Sequence, residues 1–404
     1  MHELFDTLLS LFPSPLHNRV RLVGGAVRDL LLGRRIVDLD LAAALPPDLL
    51  EQLGFRLVEG ISTAPVWLRH IPSSGTIEIT PLADMSGLDD DLRRRDFTVN
   101  AMAMSLQGEL YDPLDGSSDL EQRLLRPCSD SVFIDDPLRV FRACRFAADG
   151  WEPTPECRAL LRNFLPAAPF SRIPVERFSR EMLKALETGK PERFFQLMHE
   201  LDCGREYLPE LFHMPRVPAG PIQYHPEGDL LTHSLQVLQR TAVATTDPLT
   251  RFCAFFHDLG KLSTPPDRYP RHHGHEEAGY RAAPVFCRRL KLPAKFGTGL
   301  AWVSRLHGKL YIWDELRDST KLLTAEQALR AGIGVMLPLV AAADKNADRY
   351  PPDGWDAALN IAAMSTVELE ISTAELDAVK PERRREMILE RRVERYRASR
   401  TSAA

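Results

Sequence analysis

Short apolar runs separated by glycines and polar breaks fill the region between residue 20 and about residue 125. Runs of this length predict strands, and apolar positions three or four apart predict short helices between them. After a first strand that ends near residue 23, the predicted strands are 55–58, 76–79 and 109–111, and the predicted helices are 26–32 and 99–104. This mixture indicates a small α/β domain.

From about residue 131 the apolar residues recur at helical spacing, as in 138–146, 178–186 and 194–201. Such spacing predicts amphipathic helices that bury one face. The stretch 214–221 is rich in proline, which cannot continue a helix, so we expect a linker there. A histidine-rich segment, 222–350, and a tail, 366–400, again have helical patterns. The chain is therefore predicted to be α+β, with an N-terminal α/β head followed by helical segments.

One stretch of the predicted head, residues 22–40, combines a glycine turn with two carboxylates. An apolar run leads into Gly24 and Gly25, a short helix follows, and a second apolar approach ends in Asp38 and Asp40. Side chains two apart in a strand face the same side, so these carboxylates are expected to repel each other unless a cation lies between them. Mg²⁺ prefers such oxygen ligands, and the glycines let backbone N–H groups approach a phosphate. This pattern suggests a nucleoside triphosphate as the substrate.

Composition narrows the class of protein. A chain of 404 residues that is 44% hydrophobic and 26% charged is expected to form two or three globular domains. No apolar run is long enough to span a bilayer, and residues 1–20 predict a short amphipathic helix, not a signal peptide. Six cysteines without a CxxC pair argue against a disulfide framework, so a cytoplasmic location is expected. The net charge of -5 neither indicates nor excludes binding to nucleic acid.

Further charged residues of the head lie where a core is expected. Glu78 is an isolated acid in an apolar strand, so it either faces solvent or is a third carboxylate beside the two aspartates. Arg95 and Asp96 lead directly into an apolar stretch, and a charged pair there is expected to orient a phosphate or a sugar. Arg28 lies early in the predicted helix, from which its side chain can reach a triphosphate.

A basic helix is predicted after the head. Arg139, Arg142 and Arg145 are three residues apart and are expected to line one side of a helix, where they repel one another unless anions neutralise them. Asp136 precedes them and can cap the helix or pair with Arg139. The helix is either an ordinary basic surface or an element that reads phosphates and base edges, because arginine and aspartate together offer donors and acceptors to bases.

In chain order these stretches resemble the class II tRNA nucleotidyltransferase (CCA-adding enzyme) and bacterial poly(A) polymerase family. The motifs that carry the likeness are Gly24-Gly25-Ala-Val-Arg28-Asp, Asp38-x-Asp40, Glu78-Ile-Thr, Arg94-Arg95-Asp96-Phe-Thr-Val-Asn-Ala, Asp112-Pro-Leu-Asp-Gly and Asp136-Pro-Leu-Arg-Val-Phe-Arg-Ala-Cys-Arg. The resemblance implies a nucleotidyltransferase-fold head at 1–130, a helical neck and body at 131–215 that binds nucleotide and RNA, and a helical tail at 351–404.

The resemblance also implies an activity and residue roles. The implied reaction is addition of CCA to tRNA 3′ ends from CTP and ATP without a nucleic-acid template. The family implies that Asp38 and Asp40 hold the catalytic Mg²⁺ ions, that Arg95, Arg142 and Arg145 contact the triphosphate, and that Asp136 and Arg139 form a protein template. With the reasoning from the residues, the candidate catalytic acids are Asp38, Asp40 and Glu78, and the candidate nucleotide-binding residues are Gly24, Gly25, Arg28, Arg95, Asp96, Asp136, Arg139, Arg142 and Arg145.

One departure from the family concerns the connection 81–92, which follows Glu78 and is shorter than usual. In the family this segment is a flexible loop associated with the switch to ATP for the last addition. The short connection resembles that of enzymes that add only the two cytidines. CC addition therefore stays open as an alternative to CCA addition.

A second constellation lies within 222–350 and resembles the HD phosphohydrolase superfamily. Imidazole and carboxylate groups together suit Ni²⁺, Mn²⁺, Fe²⁺ or Zn²⁺, and such a metal activates water towards a phosphate ester. The implied metal ligands are His233, His257, Asp258 and Asp344, and the residues implied to line the substrate site are Lys261, His273, His275 and His307. In bacterial family members with this domain, the implied activities are phosphatase, 2′-nucleotidase and 2′,3′-cyclic phosphodiesterase.

Three alternatives to a tRNA nucleotidyltransferase remain open at this point. A poly(A) polymerase of the same fold uses ATP alone and extends many RNAs. A second alternative is a phosphohydrolase with a head that merely binds nucleotide. Phosphatase activity is then the only activity that alanine at Asp38 and Asp40 could remove. A non-catalytic RNA-binding protein is disfavoured by the intact acids of both constellations. The expected oligomeric state is a monomer or a homodimer, and no membrane partner is expected.

Overall fold

The computed structural model describes residues 2–36, 38–58, 65–71, 75–347 and 350–401. The chain divides into two compact units, Met1–Pro169 and Phe170–Ala404. The first unit combines a mixed sheet with helices, and the second is helical throughout its described residues. The predicted α+β class is confirmed, whereas the predicted four-part domain division stays a prediction.

The first unit is built on a sheet of seven strands in the spatial order β3-β4-β5-β2-β1-β6-β7. The strands are β1 (Val20–Val23), β2 (Asp38–Ala43), β3 (Arg56–Val58), β4 (Val66–Ile71), β5 (Gly75–Pro81), β6 (Ala103–Ser105) and β7 (Leu110–Tyr111), and a separate parallel pair is formed by β8 (Leu124–Leu125) and β9 (Glu152–Pro153). Strands β2 and β5 pair in parallel, and the other neighbours in the described sheet are antiparallel.

The first unit also contains helices, the first four of which bury residues against the sheet. They are α1 (His2–Leu11), α2 (Gly25–Leu31), α3 (Pro47–Gln52), α4 (Leu88–Arg93), α5 (Gly116–Gln122), α6 (Val132–Asp135), α7 (Leu138–Ala148) and α8 (Pro155–Phe164). One sheet face buries Leu39, Leu41 and Ile77 in a large core, while Ala42 of β2 packs on the opposite face with Leu92 of α4. Since side chains alternate along a strand, Asp40 lies on the same face as Ala42.

The second unit consists of helices joined by short irregular segments. They are α9 (Val175–Leu186), α10 (Glu192–Glu200), α11 (Pro209–His213), α12 (Leu230–Ala244), α13 (Pro248–Phe256), α14 (His275–Arg289), α15 (Ala294–Tyr311), α16 (Asp318–Arg330), α17 (Met336–Lys345), α18 (Trp355–Ala363), α19 (Thr373–Ala378) and α20 (Pro381–Thr401). Within the described ranges, no helix combines the length and apolarity that crossing a membrane requires.

One predicted feature is wrong. The predicted helix 99–104 is a 3₁₀ turn, Thr98–Asn100, followed by β6. Strand β6 is buried on both faces, so its short apolar run lacks the alternation that separates strand from helix. The predicted linker 214–221 lies outside the α-helices and is packed, since Met214, Val217 and Ala219 are buried.

Candidate functional sites

The glycine turn at the end of β1 forms a narrow cradle. Gly24 has a φ of 70°, which favours glycine, and its N–H donates to the carbonyl oxygen of Met102. A Cβ on Gly24 would lie closer than 3.0 Å to Nη1 of Arg95 and 3.4 Å from Oδ2 of Asp40. The turn therefore brings a guanidinium and a carboxylate to the same point, and any larger residue would push between them.

The parallel pairing of β2 with β5 sets the acids of the head side by side. Asp40 pairs in register with Glu78, so their side chains lie on the same sheet face. Glu78 is exposed and Asp40 is half-buried. The backbone of Asp38 pairs with Thr76, but the side chain of Asp38 lies outside the described residues.

Arg95 and Asp96, the adjacent charged residues at the entry to the core, have different partners. Arg95 donates through Nη2 to Oδ2 of Asp91, 2.9 Å away and one helical turn earlier. That ion pair holds the guanidinium against Gly24. Asp96 instead is 4% exposed and accepts from Nε of Arg142 at 2.6 Å.

A chain of polar contacts links α2 to α7 through this buried acid. Asp96 also accepts from Nδ2 of Asn100 at 2.9 Å, and Oδ1 of Asn100 accepts from Nη1 of Arg28 at 2.6 Å. Burial alone would raise the pKa of Asp96, but the charge of Arg142 and three hydrogen bonds hold that pKa well below its ordinary value. The two arginines predicted to bind nucleotide, Arg28 and Arg142, are thus oriented by one buried network.

Replacing Asp96 with asparagine is expected to destabilise the first unit by about 3 kcal/mol, because it leaves Arg142 without its buried charge partner. A group with a lowered pKa in the folded state adds stability above its unfolded pKa, which is near 3.9, and that stability is lost as the pH falls through the folded pKa. Urea unfolding at several pH values should therefore show that stability increases less between pH ~2 and pH ~5 for Asp96→Asn than for the unchanged protein. Asp149→Asn breaks the more exposed pair with Arg34 and should cost less than about 1 kcal/mol; equal losses would contradict the prediction.

The three arginines of α7 are anchored separately. Arg139 donates to the carbonyl oxygens of Arg94 and Val132 at 2.6 and 3.1 Å, and the Arg145 guanidinium lies 4.5 Å from the ring centre of Phe146. Asp136 accepts from the N–H of Leu138 at 3.1 Å and so caps the start of α7, as predicted.

The second unit contains a buried cluster of histidines and aspartates from five elements. Helix α12 supplies His233, the end of α13 leads into His257 and Asp258, α14 begins with His275, α15 supplies His307 and α17 supplies Asp344. The two oxygens of Asp258 lie on different sides of the cluster. Its Oδ2 is 3.1 Å from Nε2 of His257, and its Oδ1 is 3.3 Å from Nε2 of His275 and 3.7 Å from Nε2 of His307.

Backbone contacts orient three of these imidazoles. The Nδ1 atoms of His257, His275 and His307 lie 2.9, 2.7 and 2.9 Å from the carbonyl oxygens of Ala254, His272 and Ser304. An Nδ1–H that donates to a carbonyl leaves the Nε2 lone pair directed at the cluster. The tautomer is thus set by the helix backbone.

The cluster has the features of a metal site. Nε2 of His233, Nε2 of His257 and Oδ1 of Asp258 are buried and make no hydrogen bond of normal geometry. Unpaired buried polar atoms are costly, and a cation between them removes that cost. Potential ligand atoms of His233, His257 and Asp258 lie within 4.8 Å of one another, and so do those of Asp258, His275 and His307. Since Asp258 belongs to both groups, the residues present fit one cation or a bridged pair.

The charges of the cluster are strongly coupled. Burial alone would lower the pKa of His233, but the carboxylates of Asp344, 2.9 Å from Nε2, and of Glu227, 2.7 Å from Nδ1, raise it to about 9. Burial alone would raise the pKa of Asp344, but the charge of His257 and the contact with His233 hold it below its ordinary value. Lys261 lies 2.6 Å from Oδ2 of Asp258 and also donates to the carbonyl oxygen of Ala219.

His273 lies apart from the buried cluster. It is exposed and lines a neighbouring cavity, whereas the adjacent His272 is buried and contacts the carbonyl oxygen of Pro218 at 2.8 Å. That contact involves the segment 214–221, so the predicted linker also forms part of the wall of the site.

Two residues that support the cluster were not assigned a role from the sequence. Oε1 of Glu227 lies 2.7 Å from Nδ1 of His233, and the hydroxyl of Tyr311 donates to Oδ2 of Asp344. Glu227 stands in the motif His225-Pro-Glu227, and Tyr311 follows His307 by one helical turn. These two spacings are the sequence features from which a supporting role for Glu227 and Tyr311 could have been predicted.

Glu227→Gln is expected to weaken metal binding about 10-fold, because a carboxylate that accepts from a ligand histidine makes that histidine a better donor. A chelator competition titration with Ni²⁺ measures the change in Kd. Glu315→Gln, at an exposed acid of the same unit, serves as the matched control. An unchanged Kd for Glu227→Gln would sink the assignment.

Comparison with protein families identifies three regions of the chain. Residues 20–66 and 68–126 match the Poly A polymerase head domain. Residues 152–214 match a probable RNA and SrmB-binding site of polymerase A, and residues 230–334 match the HD domain.

Several characterised proteins resemble the chain over most of its length. A multifunctional CCA protein of Legionella pneumophila is 38% identical over 333 residues, which is 77% of this chain and 80% of the relative. One of Methylococcus capsulatus is 35% identical over 372 residues, 85% of this chain and 87% of the relative. Among solved structures, the Thermotoga maritima CCA-adding enzyme complexed with tRNA has a TM-score of 0.60 at 20% identity and covers 98% of this chain and 95% of its own. The Bacillus stearothermophilus CCA-adding enzyme in complex with CTP has a TM-score of 0.58 at 24% identity, covering 90% and 82%.

Proposed function

The chain belongs to the family of the multifunctional CCA proteins, and from this premise we propose that it adds CCA to the 3′ ends of tRNA from CTP and ATP without a nucleic-acid template. The observation that carries the proposal is the register of Asp40 with Glu78 beside the Gly24 turn. Relatives named for this activity and solved relatives bound to CTP, ATP or tRNA support it.

In the head, we assign Asp38 and Asp40 to Mg²⁺, with Glu78 as a neighbouring acid. The oxygens of two strands that meet on one sheet face, next to a glycine turn without room for a Cβ, fit a hard cation and a phosphate. Bound Mg²⁺ would lower the pKa of the attacking 3′-hydroxyl and neutralise charge on the departing pyrophosphate.

The arginines bind and orient the nucleotide. Arg95 is held against Gly24 and is placed for the triphosphate, with Arg28, Arg142 and Arg145 as further contacts. Gly24 and Gly25 supply the close backbone approach. The buried acid Asp96 acts by fixing Arg142 and Asn100.

The choice between CTP and ATP is assigned to Asp136 and Arg139. Arginine and aspartate edges can match the hydrogen-bonding edges of bases. The side chain of Arg139 donates to two carbonyl oxygens, and that of Asp136 accepts from the N–H of Leu138. Backbone groups therefore fix the positions of both side chains.

The test is the end product on tRNA that lacks its 3′ CCA, supplied with CTP, ATP or both. Addition of CCA with both nucleotides is expected. Addition of only two cytidines would establish the CC-adding alternative. The observation that favours this alternative is the short connection 81–92, which folds as a 3₁₀ turn, Met85–Gly87, and helix α4, with Leu88 and Leu92 buried. A long homopolymer from ATP alone would establish a poly(A) polymerase instead.

For the second unit we propose a metal-dependent phosphohydrolase acting on phosphomonoesters and 2′,3′-cyclic phosphodiesters. His233, His257, Asp258 and Asp344 would hold a divalent transition metal, which supplies an activated water when bound. Lys261, His275 and His307 lie against Asp258, so they are placed to bind the phosphate or to share a second cation. His273 is assigned to the rim. Release of phosphate from cytidine 2′- and 3′-monophosphate, and of monophosphate from the cyclic ester, tests this activity with each metal in turn.

A further inference from the structure

A cavity of about 510 Å³ opens beside the histidine–aspartate cluster. Asp258, Asp344, His275 and His307 form one side of its lining. The remaining lining carries basic side chains that the proposed hydrolysis does not use, namely Arg305, Lys309 and Lys345.

Lys309 is a half-buried cation in the lining of this cavity. Among the described residues, it forms no ion pair, and Arg305 lies one helical turn before it on α15. Like charges four residues apart on a helix destabilise it. Burial first, and then the charge of Arg305, lower the pKa of Lys309. An anion in the cavity would remove both costs.

Lys345 is held next to the metal cluster by an aromatic ring. Its Nζ lies 4.4 Å from the ring centre of Tyr311, and the hydroxyl of the same tyrosine donates to Asp344. Tyr311 therefore contacts both the ammonium group of Lys345 and the proposed metal ligand Asp344. Arg305, in the same lining, is fixed by Glu277, 3.2 Å away, and by stacking on Tyr280 at 4.5 Å.

The charge balance of the cavity favours a substrate with more than one negative group. Its acids are Asp258, Asp344 and Glu276. A divalent metal neutralises the two aspartates, and Glu276 lies 3.5 Å from the imidazole of His275. Within the described ranges, neither of the two lysines forms an ion pair with an acid that would compensate its charge.

We propose that Lys309 and Lys345, with Arg305 in the same lining, form a second phosphate subsite. The site would then prefer a terminal phosphoester that is joined through one nucleotide to another phosphate, as at the 3′ end of an RNA strand. The inference rests on the proposed phosphohydrolase. In the reaction, water forms a new P–O bond at the terminal cyclic phosphate, one ribose oxygen leaves phosphorus and takes a proton from that water, and the internal phosphodiester is only bound.

Three substrates separate the parts of this proposal: cytidine 2′,3′-cyclic phosphate, the dinucleotide CpC ending in the same cyclic phosphate, and that dinucleotide with a neutral methylphosphonate linkage. The protein is the full chain loaded with Ni²⁺. We expect kcat/KM to be about 10-fold higher for the charged dinucleotide than for the other two substrates, as for one charge-assisted contact.

The variants Lys309→Ala and Lys345→Ala should lose most of this preference and keep the rate on the mononucleotide. Lys295→Ala is the matched control, since Lys295 is an exposed lysine at the start of the same helix, about 21 Å away along the axis. A preference that survives in both lysine variants, or equal rates on all three substrates, would overturn the subsite.

Measuring the equilibrium binding of the three compounds tests the phosphate subsite independently of the hydrolytic activity. If the protein hydrolyses none of them but binds the charged dinucleotide more tightly through the two lysines, the phosphohydrolase proposal fails and the subsite stands. If hydrolysis proceeds without a binding preference, the subsite fails and the phosphohydrolase stands.

Discussion

Asp40→Asn is expected to lower the rate of nucleotide addition by about 10³-fold or more, while the fold and the hydrolysis of cyclic phosphate are retained. Asparagine has nearly the same shape but lacks the negative charge that a hard cation requires. Asp40 lies in register with Glu78 and next to the Gly24 turn, so the change acts where metal and triphosphate are proposed to meet.

The measurement is single-turnover addition of radiolabelled CTP to tRNA that lacks its 3′ CCA. Asp48→Asn, at an exposed acid of the same unit, is the matched control and should retain full activity. Thermal unfolding checks that Asp40→Asn is folded. If the folded variant adds nucleotides at more than a tenth of the normal rate, Asp40 is not a metal ligand.

The elements around Gly24 could be predicted because their signals are local. Strand β1, helix α2 and strand β2 follow one another, and each begins or ends at a glycine or at the aspartate motif. The strand β5 was also predicted from its own residues. A position of Glu78 beside Asp40 was one of its two predicted alternatives. The parallel pairing of β5 with β2 that produces this position depends on contacts between distant residues and was not predicted.

The partners of the charged residues could not be predicted for the same reason. The sequence predicted that Arg95 and Asp96 orient a phosphate or a sugar, but it did not predict their partners: Asp96 pairs with Arg142, and Arg95 with Asp91. Which charges meet depends on how α7 packs on the head, and no periodicity encodes that. The buried strand β6 was mistaken for a helix because both of its faces are apolar.

The histidine cluster could be predicted as a set. His275 and His307 were expected to line the substrate site, and both line the cavity beside the cluster, with Nε2 atoms 3.3 and 3.7 Å from Oδ1 of Asp258. The division of the cluster into metal ligands and substrate residues stays a prediction. Between the neighbours His272 and His273, only packing decides which is buried. Glu227 contacts His233 through a turn with no regular period, so its supporting position emerges only in three dimensions.

Asp258→Asn is expected to remove the transition metal from the second unit and to abolish hydrolysis of cyclic phosphate, with no effect on nucleotide addition. Asp258 contacts His233 and His257 through one oxygen and His275 and His307 through the other. Loss of its charge therefore affects every proposed ligand group at once.

Metal content after dialysis, hydrolysis of cytidine 2′,3′-cyclic phosphate and addition of CTP to tRNA are measured on the same preparation. Because Asp258 also neutralises the buried Lys261, its replacement leaves an unpaired ammonium that destabilises the unit. His257→Gln is therefore the second variant, since it removes one ligand and leaves the pair of Asp258 with Lys261 intact. Asp314→Asn, at an exposed acid, is the control. If His257→Gln is folded and still retains the metal at the normal stoichiometry, the cluster does not bind the metal. If both variants lose the metal and CTP addition persists, the two activities reside in separate sites.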